Sequence, residues 1–98
     1  MSEKGYWIAH VTVDDMDRYP DYVKANAVAF EKYNAKFLVR GGEFTEIEGA
    51  LRDRHVVIEF DSYETALACY NSPEYQTALA IRKTCSSADI IIIRGYAD

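Results

Sequence analysis

The stretch Gly5-Tyr6-Trp7-Ile8-Ala9-His10-Val11-Thr12-Val13 decides the fold. Its odd positions Trp7, Ala9, Val11 and Val13 are all apolar. Its even positions Tyr6, Ile8, His10 and Thr12 carry the polar groups. Side chains on a strand point alternately to the two sides of a sheet, so this run reads as a strand with one dry face and one mixed face. The same alternation recurs downstream. Phe37, Val39 and Gly41, then Val56, Ile58 and Phe60, then Ile91 and Ile93 fall on the dry side. Lys36, Leu38, Arg40 and Gly42, then His55, Val57 and Glu59, then Ile90, Ile92 and Arg94 fall on the mixed side.

Between these strands the spacing changes to that of helices. Tyr19, Tyr22, Val23, Ala27, Phe30 and Tyr33 recur at three- and four-residue steps, which predicts one apolar stripe on a helix running to about Asn34. Asp17 is the expected N-cap, with Pro20 in the first turn. Ser62 caps a short helix carrying Tyr63, Ala66, Leu67 and Tyr70, and Ser72-Pro73 starts another that runs to about Thr84. Expected strands span about Gly5 to Val13, Lys36 to Gly42, Arg54 to Phe60 and Asp89 to Tyr96. The β-α-β-β-α-β order predicts an α+β, ferredoxin-like sandwich: a four-stranded antiparallel sheet with helices on one face.

The 98 residues fit one domain spanning 1–98. The formal net charge is -5 and no basic stripe is present, which argues against nucleic-acid binding. No run is long and apolar enough for a membrane span, and Met1-Ser2-Glu3-Lys4-Gly5 is polar, so a cytoplasmic location is expected. Cys69 and Cys85 are expected to be reduced, partly buried thiols on helices.

With helices on one side only, the mixed face would leave Ile8, Leu38, Val57, Ile90 and Ile92 in water. A second copy of the same sheet is the simplest cover, so a homodimer packed face to face is expected. Long side chains such as Tyr6, Arg40 and Arg94 shielding the patch of a monomer are the alternative.

Four segments carry a family resemblance: Lys4-Gly5-Tyr6-Trp7-Ile8-Ala9-His10, Phe37-Leu38-Val39-Arg40-Gly41-Gly42, Val57-Ile58-Glu59-Phe60 and Ala68-Cys69-Tyr70-Asn71-Ser72-Pro73-Glu74-Tyr75. In this order they resemble the small bacterial proteins grouped as domain of unknown function 1330. That family looks like part of the dimeric α/β-barrel superfamily of ferredoxin-like subunits. The superfamily includes small cofactor-independent monooxygenases, lactone isomerases and some haem enzymes. The resemblance implies the fold and the dimer. It implies no particular reaction, and it transfers no catalytic residue.

The candidate site residues come from the mixed face. The first and third strands are expected to be central and parallel, which would set His10 beside Glu59 as base and orienting carboxylate. Lys36 could approach the same end. Arg40, His55 and Arg94 are expected to gather at the other end as anion-binding groups. An aliphatic waist of Ile8, Leu38, Val57 and Ile92 would complete a small-ligand pocket. No metal is expected, since His55 and Glu59 lie roughly 13 Å apart along one strand, and no cofactor is expected, since neither a G-x-G-x-x-G nor a Walker loop is present. A structural interpretation stands beside this: the same charges can simply pair across a dimer axis. Tyr22, Tyr33, Tyr70 and Tyr75 fit a core, although Ala9 and Gly41 leave room for a cavity between helices and sheet. Two functions follow: a cytosolic dimer that binds a small organic acid or aromatic metabolite and acts on it without a cofactor, or a non-catalytic dimeric module.

Overall fold

The computed structural model describes residues 3–97. Strand β1 (Gly5–Val13) leads through helix α1 (Tyr19–Lys32) to β2 (Lys36–Arg40). Then come β3 (Arg54–Phe60), α2 (Tyr63–Asn71), α3 (Pro73–Cys85) and β4 (Ser86–Arg94). The four strands form one sheet in the order β2-β3-β1-β4, and every neighbouring pair is antiparallel. This is the expected ferredoxin-like α+β arrangement, with one correction. β1 and β3 are central but antiparallel. A helix returns the chain so that β2 runs with β1, and the connection into β3 then reverses it. His10 therefore stands opposite His55, and Glu59 stands opposite Tyr6.

Local signals explain the element ends. α1 starts two residues after the expected cap. Arg18 occupies the cap position, and the Asp15 carboxylate accepts from the backbone N–H groups of Asp17 and Arg18 at 3.0 and 3.3 Å. Asn34 adopts a left-handed φ of 56° and closes α1. The N–H of Ala35 then reaches Phe30 O at 2.9 Å and that of Asn34 reaches Glu31 O at 3.3 Å, the paired bonds of a Schellman motif. Ser62 caps α2 by accepting from Thr65 N–H. Ser72 serves two helices: its hydroxyl donates to Cys69 O at 2.7 Å and accepts from Tyr75 N–H at 3.1 Å. At Gly5, β1 passes so close to Ser62 and Tyr63 that a Cβ would collide with backbone.

All three helices cover one face of the sheet. Trp7 is 2% exposed and sits at the centre of that layer. Its ring meets Tyr75 at 4.8 Å, Phe30 at 5.2 Å and Phe60 at 5.5 Å, and its indole N–H donates to Ala66 O at 2.9 Å. Burying aromatic rings of this size supplies much of the cohesion of so small a core. Ala27, placed on the buried stripe by its spacing, is exposed. Asn26 is buried in its stead.

Two strands depart from the expected parity. β2 carries a bulge: Phe37 faces Ile58, but the next pair is Val39 with Val57, leaving Leu38 over. One extra residue exchanges the two faces beyond it. Arg40 consequently pairs with Val56 on the helix side, while Val39 moves to the open side. In β4 the register sets Ile90 opposite Ala9 and Ile92 opposite Trp7. Ile90 and Ile92 thus pack toward the helices, and Ile91 and Ile93 lie open at 53% and 45% exposure. Arg94, opposite Gly5, also belongs to the helix side. Four successive isoleucines have no alternation of their own, so the pairing with β1 decides which of them are buried.

Candidate functional site

The open face contains the residues first singled out, in different company. The Nδ1 atoms of His10 and His55 lie 2.8 Å apart in a shared hydrogen bond. The ring of Phe44 stands edge-on to His55 at 4.4 Å. Tyr6 donates its hydroxyl to Glu59 at 3.1 Å, and burial together with the neighbouring carboxylate raises the phenol above its usual range. His10 and Glu59 are four register positions apart, roughly 13 Å along the strands, and cannot share a proton directly. Lys36 does stand opposite Glu59. The expected cluster of Arg40, His55 and Arg94 is not assembled either. Arg94 bonds Glu64 at 3.0 Å, reaches Glu3 at 3.7 Å and lies over the Tyr63 ring at 4.8 Å. Arg52, which the sequence reading overlooked, is the arginine this face uses. It donates to Asp89 at 2.9 Å, Thr12 at 3.0 Å and Ser87 at 2.8 Å.

The helix side presents a different kind of site. A cavity opens between α1 and the sheet, walled by Trp7, Tyr19, Tyr22, Phe30 and Phe37, with Asn26 and the arginines Arg40 and Arg54 on its lining. Its volume is about 40 Å³. Asn26 is 5% exposed, and its side-chain carbonyl oxygen has no hydrogen-bond partner among the described residues. A buried, unpartnered amide oxygen is costly, by about 1–3 kcal/mol, and such a group calls for a partner such as an ordered water, an ion or a bound molecule. Behind it, the hydroxyls of Tyr22 and Tyr75 share a 2.8 Å hydrogen bond. Burial pushes both phenols up, so both stay protonated. The Arg82 guanidinium, 7% exposed, lies over the Tyr22 ring at 5.9 Å, and its Nε is without a partner. Arg40 caps the Phe37 ring at 4.0 Å, and Arg54 lies 5.7 Å from the Tyr19 ring centre.

Sequence signals for this site existed. Asn26 falls seven residues after Tyr19 and four after Tyr22, on the apolar stripe of α1. Arg54 shares the parity of Val56, Ile58 and Phe60. The bulge that turns Arg40 inward had no such signal.

The thiols add no chemistry. Cys69 and Cys85 are free and buried, and burial raises both, Cys69 up to about 12. Among the described residues, no group of three or more His, Cys, Asp or Glu side chains is placed to hold a metal ion. No helix among them is long and apolar enough to cross a membrane.

The sequence matches the family described as Domain of unknown function (DUF1330) over residues 4–96. The chain belongs to the DUF1330 family. Solved structures similar to this DUF1330 chain include a protein of unknown function from Rhodopseudomonas palustris, with a TM-score of 0.76 at 15% identity, covering 100% of this chain and 86% of that one. SnoaB, a cofactor-independent oxygenase from Streptomyces nogalater, aligns with a TM-score of 0.63 at 9% identity over 99% of this chain and 97% of its own. A dimeric ferredoxin-like protein of unknown function from Thermobifida fusca gives 0.56 at 19% identity, covering 96% and 92%. At these identities the likeness establishes the ferredoxin-like fold of the DUF1330 chain. Among curated proteins, none matches it.

Proposed function

We propose that this DUF1330 chain is a cytosolic homodimer that binds a small aromatic molecule between α1 and the sheet. The observation that carries the proposal is the buried, unpartnered carbonyl of Asn26 on a cavity walled by five aromatic rings. An aromatic ring suits such walls, and a hydroxyl or N–H on it would satisfy Asn26. The space is smaller than the ~150 Å³ of an apolar cavity that takes up benzene, so side chains at the mouth must swing outward on binding. Arg40, which is exposed, can do so without breaking an ion pair.

The dimer draws support from the open face. Leu38, Val39, Phe44, Ile91 and Ile93 are each between 42% and 53% exposed, an apolar patch that a second sheet would cover. The Thermobifida fusca neighbour is itself described as dimeric. Two free thiols fit a reducing compartment.

Trp7, the one tryptophan in the chain, lines the cavity and reports on its occupancy. Titration with small phenols is expected to change Trp7 emission and raise the melting temperature. Ala9→Val, which narrows the cavity, should weaken both responses. An emission unaltered by every phenol would contradict the proposal. Catalysis without a cofactor is the further step, supported by the Streptomyces nogalater oxygenase. Oxygen uptake from solutions of electron-rich phenols tests it, and uptake no faster than without protein rejects it.

A second reading, a non-catalytic dimeric module, is favoured by the open face alone. There Tyr6 and Glu59, His10 and His55, and Arg52 and Asp89 already satisfy one another. It predicts dimerisation with no aromatic binding.

A further inference from the structure

We infer that Arg54, seconded by Arg40, reads an acidic group on the ligand, so that the cavity's ligand class is a small aromatic carboxylate. This rests on the cavity being the ligand site, and it adds both the ligand's charge and its route of access.

Arg54 opens β3 opposite Val11, on the helix side of the sheet. Its side chain lines the inner cavity and also an outer groove of about 280 Å³, formed with Val13, Met16, Gly41 and Asp53. Arg54 is therefore the one residue common to the outer groove and the aromatic chamber, with its guanidinium beside Gly41. It occupies the space that a side chain at position 41 would need, and Gly41 holds a φ of 68° in which a side chain would be strained. The backbone there is fixed by a 2.9 Å bond from Gly41 N–H to His55 O.

This guanidinium is not neutralised from within. Arg54 Nε is buried and without an acceptor among the described residues. Among the described residues neither Arg54 nor Arg40 takes part in an ion pair, and they are the two charged side chains on the chamber's lining. Two unpaired guanidiniums on one small chamber, in a chain of net charge -5, form a local positive site. A guanidinium with free N–H groups matches a carboxylate through paired, charge-assisted hydrogen bonds. Asp53 opposes this, because its exposed carboxylate shares the outer groove. It does not line the chamber, where the two arginines act alone. The ring would enter past Arg54, which then closes on the carboxylate behind it.

The test compares 4-hydroxybenzoate with its neutral amide, following Trp7 emission of the full chain. The acid is expected to bind about tenfold tighter than the amide, the gain of a charge-assisted pair. Arg54→Gln should bring the acid-to-amide affinity ratio, measured in the same variant, down to about one. Arg54→Lys, which keeps the charge and loses the fork, should fall between. Equal affinity of the two probes for the wild type, or a preference that survives Arg54→Gln, overturns the inference and leaves the aromatic cavity standing. A Trp7 signal that responds to neither probe overturns both.

Discussion

The two faces of the sheet handle polarity in opposite ways. On the open face polar groups are mostly paired with one another, and the apolar side chains are exposed. Tyr6 holds Glu59, His10 holds His55, and Arg52 ties Asp89, Thr12 and Ser87 together, around bare Ile91 and Ile93. On the helix side the apolar groups are satisfied, and beside paired groups such as the Tyr22 and Tyr75 hydroxyls several buried polar atoms have no partner among the described residues: Asn26 Oδ1, Arg54 Nε, Glu74 Oε1 and Arg82 Nε. His55 Nε2 is the exception on the open side, buried without a partner in a ring that Phe44 overlies. Exposed oil with satisfied polar groups suits a protein partner. Buried polar groups without partners suit a small ligand. On the proposed function, the difference gives the two faces two jobs.

Substitutions should act on one face at a time. The largest effect is expected from Ile91→Asp. Placing a charge on the exposed aliphatic patch should convert the dimer to a monomer in light scattering, with little change in the monomer's helical signal. A dimer that persists would break the assignment of the open face.

Next, Asn26→Leu removes an unpartnered buried acceptor and should stabilise the free protein by about 1 kcal/mol in urea unfolding. The same variant should bind aromatic probes more weakly. Destabilisation would mean that the carbonyl has a partner after all.

Tyr6→Phe, on the paired face, should have the opposite sign. Loss of the bond to Glu59 should lower stability slightly and leave aromatic binding untouched. Equal effects of Asn26→Leu and Tyr6→Phe on ligand binding would erase the distinction between the faces.

The smallest effect concerns acid. The backbone N–H of Glu74 at the start of α3, aided by Lys32, holds the Glu74 carboxyl below its usual value. A carboxyl lower in the folded state than in the unfolded chain adds stability above the unfolded value, near 4.5, and that stability is lost as pH falls through the folded value. Glu74→Gln should therefore flatten the melting-temperature curve below about pH 4.5 and change nothing about ligand preference. A curve unchanged by the substitution would remove Glu74 from the account.

Most of the fold was legible because alternation and capping are local. Gly5 to Val13 and Arg54 to Phe60 matched their strands residue for residue, and Ser62, Ser72 and Pro73 marked their helices. The candidate site was less legible, for three physical reasons. Strand direction is a property of the whole chain path, and reversing β3 moved Glu59 from His10 to Tyr6. The bulge at Leu38 is one inserted residue, invisible to a period of two until a partner strand is present, and it carried Arg40 to the other face. Ile90 to Ile93 offer identical side chains to both sides, so only the pairing with Trp7 and Ala9 decides the orientation of Arg94. Asn26 and Arg54, by contrast, stood on their buried stripes in plain view. They are informative because they break an apolar pattern.

Every role proposed for the helix side requires the ligand to lie between α1 and the sheet. An NMR titration of the isotopically labelled chain with 4-hydroxybenzoate tests this most directly. The predicted result is that the largest shifts fall on the Trp7 indole N–H, the Asn26 side-chain amide and the Arg54 Nε–H, with little change at Tyr6, His10 and Glu59. Shifts concentrated on those open-face residues, with Trp7 and Asn26 unmoved, would contradict it.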